Sequence, residues 1–243
     1  MKSTPNKFYE PTQNQLGYMT TQIDQVGYSF LDFAQQRPQP ILEIGAAYGH
    51  VALEAAKRQI PIIVNDLDQR HLDALVKRAD EKHLKYILPL LGNFPKDLVF
   101  KPNSLGSILI CRVLHFFPPE EWIQAMHVMF EWLAPGGKLF MTNESPYFGT
   151  MRKFIPVYLE RKRKGHPWPG LMIGMEYFDE GRKQDVNSVI NLLSLKETKA
   201  AVEEAGFHIE YIEYLDRSSI YPPDALYDGR EAIGVIARKK SIL

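Results

Sequence analysis

The stretch Ile41-Leu42-Glu43-Ile44-Gly45-Ala46-Ala47-Tyr48-Gly49 decides the reading of this chain. Ile41, Leu42 and Ile44 make a short apolar run with an acid, Glu43, set near its end, which reads as a buried strand. Small residues follow at Gly45, Ala46, Ala47 and Gly49, and then a helix-forming run, VALEAAKR, over 51–58. A strand, a small-residue turn and a helix are how an open α/β sheet brings backbone N–H groups up to a nucleotide-like ligand. The alanine at 47 is accommodated if φ there stays negative. A plain strand-to-helix turn is the bland alternative.

Outward from this stretch, strand and helix patterns alternate. Residues 61–65 read as a strand and 71–82 as a helix. Residues 86–91 read as a weaker strand that Pro89 assigns to an edge or an early end. A strand over 107–111, a helix over 119–133 with Pro119 near its start, and a strand over 138–142 follow, the last two joined by Pro135-Gly136-Gly137. The alternation predicts a parallel sheet covered on both faces. Upstream, Leu16, Met19, Ile23, Val26 and Phe30 recur at helical spacing and predict one or two helices, ended by Arg37-Pro38-Gln39-Pro40. Residues 145–191 break the pattern with Tyr147, Phe148, Phe154, Tyr158, Trp168, Tyr177, Phe178 and four prolines, and read as a partly helical insertion. The pattern resumes at Ser194, where Glu197 three residues on makes a capping box and Gly206 a helix stop. Strands over 208–215 and 232–237 then end the chain as an antiparallel pair.

The chain has 243 residues, 45% hydrophobic and 24% charged, with 29 basic and 29 acidic side chains. That length supports one large α/β domain, and the balanced charge gives no pointer to nucleic acid or an anionic membrane. The single cysteine, Cys111, excludes an internal disulfide and a multi-cysteine metal site, and no metal is expected. The polar start and the absence of an apolar run of membrane length imply a cytoplasmic protein with no membrane span.

The turn Glu43-x-Gly45-x-Ala47-x-Gly49 resembles the first motif of the class I S-adenosylmethionine-dependent methyltransferases, with alanine in place of the middle glycine. The run Trp132-Leu133-Ala134-Pro135-Gly136-Gly137-Lys138-Leu139 and the segment 195–207, ending Ala-Gly-Phe, are similar to later landmarks of the same family. The resemblance covers about residues 41–143 and 194–237. It implies a Rossmann-like, seven-stranded, mostly parallel sheet with helices on both faces, an antiparallel final strand and a small helical cap. The whole chain would be one domain: N-terminal cap helices over 1–37, core over 38–144 and 194–243, and a cap insertion over 145–193.

The resemblance implies S-adenosyl-L-methionine as cofactor, S-adenosyl-L-homocysteine as product, and a site assigned residue by residue. Gly45, Ala46, Ala47 and Gly49 would approach the cofactor, and Glu43 would orient that turn or meet the ligand amine. Asp66 would bond both ribose hydroxyls and Leu67 would pack on the adenine, while Asp68 is better read as a helix N-cap. Asn93 and Phe94, after the third strand, would meet the adenine edge through an amide oxygen and a backbone N–H. Cys111 and Arg112, after the fourth strand, would line the pocket.

His115, whose ordinary pKa suits proton removal near neutral pH, and Glu144 are the candidate bases. Tyr18, Tyr147, Trp168 and Tyr177 are candidates for an apolar wall around the acceptor. The expected partner is a small or medium-sized organic acceptor. One rival is the same fold acting on protein or RNA through the basic run over 160–166. Another is a cofactor-binding regulator without catalysis. A nicotinamide dehydrogenase is disfavoured, because GAAYGH lacks the third glycine of the dinucleotide fingerprint.

Overall fold

The structure, a computed structural model, describes residues 9–14, 17–174 and 189–240. In chain order its elements are β1 (Tyr9–Pro11), β2 (Tyr18–Thr20), α1 (Gln25–Ala34), β3 (Ile41–Ile44), α2 (His50–Lys57), β4 (Ile62–Asp66), α3 (Gln69–Arg78) and β5 (Ile87–Leu91). After these come β6 (Leu105–Cys111), α4 (Pro119–Trp132), β7 (Leu133–Glu144), α5 (Ile155–Arg163), β8 (Leu171–Ile173), β9 (Val189–Asn191), α6 (Leu195–Glu204), β10 (His208–Leu215) and β11 (Ala232–Arg238).

Seven strands form one sheet in the order β10-β11-β7-β6-β3-β4-β5. The five strands from β7 to the β5 edge run parallel, and β11 is antiparallel to both its neighbours. This is the Rossmann-like sheet with an antiparallel final strand. Pro89 does sit on an edge strand, where a missing N–H breaks no ladder.

Alternation along the strands feeds two cores. Leu42, Ile108, Ile110, Leu139 and Met141 face one core, which Trp122, Met126 and Met129 of α4 and Val202 of α6 complete. Ile41, Ile62, Leu109 and Phe140 face the other, completed by Phe30 and Leu31 of α1, Ala52 and Ala55 of α2 and Leu72 and Leu75 of α3. Helix starts follow local chemistry. Asp24 and Asp68 accept backbone N–H groups as N-caps of α1 and α3, and Ser194 and Glu197 form the capping box of α6.

The N-terminal segment corrects the expectation of helices over 1–37. β1 pairs antiparallel with β2, and one of the one or two expected helices is present, beginning after Asp24; Leu16 lies outside the described residues. Tyr18 and Met19 lie in a strand, so the helical spacing is fortuitous at Met19. Of the stretch 145–193, expected as a cap insertion, the described residues hold α5 and the two-stranded sheet of β8 and β9, packed around Phe154, Tyr158, Met172, Ile190 and Leu192. Among the described residues no helix is long and apolar enough to cross a membrane.

Candidate functional site

A cleft of about 260 Å³ opens above the carboxyl ends of β3, β4, β6 and β7. This is where an open α/β sheet binds ligands, beside the switch in strand order between β3 and β6. Its floor is the turn after β3. Gly45, Ala47 and Gly49 all adopt positive φ, of 66°, 46° and 66°. A side chain on Gly45 would meet Val113 at 2.4 Å, and one on Gly49 would meet Leu75 at 2.4 Å, so both glycines are required for close packing as well as for φ. Ala47 departs from the expectation of negative φ. It occupies the left-handed region, where a β-carbon costs about 1–2 kcal/mol. The hydrogen bond from Ala47 N–H to Asp66 Oδ2, at 2.8 Å, holds it there.

Glu43 is buried below this turn, and its Oε2 has no hydrogen-bond partner. Burial pushes its pKa up to about 8, a hydrogen bond from the Ala52 backbone opposes the shift, and the charge of Asp66 adds to it. Asp66 ends β4 and is engaged on both oxygens. Oδ2 accepts from Ala47, while Oδ1 accepts from Asp68 N–H at 2.9 Å and faces His71 Nδ1 at 3.0 Å. A carboxylate has about four lone-pair sites, and three are used. One acceptor site on Asp66 is therefore left for a ligand donor. Leu67, at the lip of the cleft, is 53% exposed, an apolar surface suited to a flat ring.

Farther along the sheet edge, Arg112, also at positive φ (59°), donates through Nε to Glu144 Oε1 at 2.7 Å. Tyr221 OH donates to the same oxygen at 2.7 Å, and Glu144 Oε2 is buried without a partner. Arg217, 2% exposed, pairs with Asp24 at 2.7 Å, and its Nε has no partner. His115 is buried too, its Nδ1 unpartnered. Burial, with Arg112 adding, pushes its pKa down to about 3, so the ring is a far weaker base than its type suggests. Burial pushes the Cys111 thiol up to about 12, which excludes a thiolate nucleophile near neutral pH.

The structure brings Glu43, Gly45, Ala46, Ala47, Asp66, Leu67, Cys111, Arg112, His115, Glu144 and Tyr18 to this one cleft. It does not bring the rest there. Gly49 serves as the N-cap of α2 beneath it. Asn93 is exposed just past the end of β5, outside the cleft lining, and the Phe94 ring packs against Phe117 and Trp132 in the core. Tyr147 meets Tyr158 edge-to-face under Arg230, and Trp168 lies against Trp122. Tyr177 lies outside the described residues. Sequence reasoning missed Asp24, Arg217 and Tyr221, which stand at loop and helix ends without motif, and Phe116 and Phe148, which line the cleft beside Tyr18 where Tyr147 and Trp168 do not.

Residues 41–137 match the family model described as a methyltransferase domain. A structure of an S-adenosylmethionine-dependent methyltransferase from Methanosarcina mazei superposes with a TM-score of 0.66 at 16% identity, covering 90% of this chain and 98% of that one. Residues 41–137 are thus similar to a methyltransferase domain, and the fold around them is that of S-adenosylmethionine-dependent methyltransferases. A methyltransferase of Haloferax volcanii, solved in complex with the Trm112 methyltransferase activator, has the same fold, with a TM-score of 0.57, 13% identity, and 90% and 91% coverage. Over 128 residues, 48% of its length, this chain is 28% identical to the tRNA(Thr) (cytosine(32)-N(3))-methyltransferase of Saccharomyces cerevisiae. That match spans 20% of the yeast protein's length.

The family's cofactor is S-adenosyl-L-methionine, and the residues present fit it. A left-handed turn leaves backbone at the cleft floor, Asp66 keeps one lone-pair site, and the unpartnered Glu43 Oε2 can accept from an ammonium group. A positive ligand charge beside Glu43 favours its ionised form.

Proposed function

We propose that this methyltransferase moves a methyl group from S-adenosyl-L-methionine to a nucleophilic oxygen or nitrogen of a small or medium-sized organic acceptor in the cytoplasm. Asp66, Leu67, Glu43 and the turn over 45–47 hold the cofactor. The acceptor lies at the β6–β7 end, against Phe116, Phe148, Met151, Ile190 and Leu192. The cofactor supplies a methyl group already activated on a sulfonium, so the protein's tasks are alignment and exclusion of water.

The observation that carries this reading is the buried, unpartnered Oε2 of Glu144. A buried acceptor left open costs about 1–3 kcal/mol unless a ligand donor meets it. The O–H or N–H of an acceptor is such a donor, and its proton passes to Glu144 as the bond to methyl forms. Arg112 and Tyr221 fix the carboxylate through its other oxygen. The Arg112–Glu144 and Arg217–Asp24 pairs are each charge-balanced, which favours an acceptor without a large net charge. His115 stays neutral and offers its Nδ1 to orient the acceptor.

A second reading, methylation of an RNA base, rests on the yeast relative. The run over 160–164 gives it little support. Arg163 and Lys164 pair with Glu160, Lys162 with Glu197, and Arg161 donates to the Leu171 carbonyl. Methyl-labelled cofactor offered with a low-mass metabolite fraction and, separately, with total tRNA tests both readings. Label entering the metabolites, and lost in Glu144→Gln, is the expected result. Label entering only tRNA replaces the first reading with the second.

A further inference from the structure

His71 is the first-turn histidine of α3, 1% exposed, and none of the chemistry above uses it. Its ring bridges two parts of the cleft. Nε2 lies 2.9 Å from the backbone nitrogen of Gln13, in the N-terminal hairpin, and Nδ1 lies 3.0 Å from Asp66 Oδ1. A backbone N–H can only donate, so Nε2 must accept. The ring proton then sits on Nδ1 and is donated to Asp66. The network fixes a neutral imidazole in one tautomer.

The groups around it are compatible with that role. Asp68 caps the same helix and bonds Asp66 through its N–H, with Arg70 held on its carboxylate. Tyr48 sets its ring edge-on to the imidazole at 5.4 Å, and Arg78 lies over Tyr48 at 4.6 Å while reaching Glu10 of β1. The hairpin covers the cleft with Thr12, Asn14, Gly17, Tyr18, Met19 and Thr20. Tyr48 OH donates to the Pro11 carbonyl at 2.8 Å, a second anchor of the hairpin beside the ring. The chain Gln13 N–H, His71, Asp66, Ala47 N–H thus runs unbroken from the cover of the cleft to its floor.

We propose that His71 is a positioning residue of the cofactor site, holding the Asp66 carboxylate with one nitrogen and the N-terminal hairpin with the other. Presentation of Asp66 to the ribose and closure of the hairpin over the cleft are thereby one event. This rests on the reading of Asp66 as the ribose acid.

The two nitrogens are separable by substitution. Asparagine places an amide N–H near the Nδ1 position, and glutamine reaches the Nε2 position with an acceptor oxygen. His71→Asn retains the hold on Asp66 and releases Gln13, His71→Gln does the reverse, and His71→Phe loses both. Two readouts are taken on variants whose melting shows a folded core: hydrogen exchange at the Gln13 amide without ligand, and calorimetric affinity for S-adenosylhomocysteine.

Slow exchange at Gln13 is expected in wild type and His71→Gln, and fast exchange in His71→Asn and His71→Phe. The affinity of His71→Phe is expected to fall about tenfold or more, the scale of one hydrogen bond to a charged group. His71→Asn should recover most of that loss. Equal Gln13 exchange in wild type and His71→Phe, or ligand affinity in His71→Phe within twofold of wild type, overturns the proposal. Wild type that fails to bind the ligand while protecting Gln13 overturns the cofactor reading of Asp66, and the coupling with it.

Discussion

Asp66 and Glu144 are both buried carboxylates at strand ends of one sheet, and the protein treats them in opposite ways. Asp66 gathers two backbone N–H groups and the His71 ring, and keeps one lone-pair site for a ligand. Glu144 has one oxygen fixed by Arg112 and Tyr221 and the other entirely open. On the proposed reading the β3–β4 end, where Glu43 Oε2 is left open beside Asp66, is pre-organised around a ligand whose shape does not vary. The β6–β7 end keeps unpartnered atoms at Glu144, Arg217 and His115, which the proposed acceptor would meet. A fixed cofactor and a particular acceptor ask for this division, because preorganisation lowers the cost of binding where the ligand is always the same.

The contrast breaks most sharply at Glu144. Glu144→Gln keeps the shape and removes the proton acceptor, so turnover should fall by about 10²–10⁴-fold while S-adenosylhomocysteine affinity holds within a few fold. Single-turnover kinetics beside calorimetry check both halves, and an equal loss in both would erase the distinction between the two ends.

Asp66→Ala should act on stability and cofactor together. It leaves the Ala47 and Asp68 N–H groups without acceptors, at a cost of about 2–4 kcal/mol in urea unfolding, and it lowers ligand affinity by tenfold or more. A purely structural Asp66 would show the first effect without the second.

Glu43 sharpens the comparison through pH. Its folded pKa, raised to about 8 from an ordinary 4.5, means the folded state holds an extra proton between those values. Stability from this group is full below 4.5 and is lost as pH rises through 8. His115 runs the other way. Depressed from 6.5 to about 3, it makes stability rise with pH between those values, and it cancels Glu43 up to 6.5. The window from 6.5 to 8 is left to Glu43 alone, with a loss of up to about 2 kcal/mol. Urea unfolding at the two pH values should show that loss in wild type and not in Glu43→Gln.

The smallest effect belongs to Ala47→Gly. Relief of left-handed strain exceeds the entropy cost of glycine by about 0.5–1 kcal/mol, raising the melting temperature by a few degrees. A lower melting temperature would mean that the alanine methyl packs usefully against the turn.

Legibility in the sequence followed the range of the interactions. The turn at 45–49, the N-cap at Asp68, the capping box at Ser194 and the edge position of Pro89 depend on neighbours a few residues away, and all were readable. The hairpin over 9–20 was not, because Met19 and its apolar neighbours mimic a helical stripe. Tyr147 and Trp168 read as site aromatics but turn into the packing, a choice set by partners distant in sequence. Arg217 and Tyr221 follow the sixth strand of the main sheet in chain order, in a loop without motif. Only the neighbouring end of β7, pairing with β11, brings Glu144 to them. His71 looked like any residue of an amphipathic helix until Gln13 was placed beside it.

Calorimetric titration of the purified protein with S-adenosylhomocysteine, wild type beside Asp66→Ala, tests the central claim most directly. The account predicts one binding site in the wild type and affinity lowered at least tenfold in the folded variant. A folded wild type that does not bind, or a variant that binds as tightly as wild type, would contradict it.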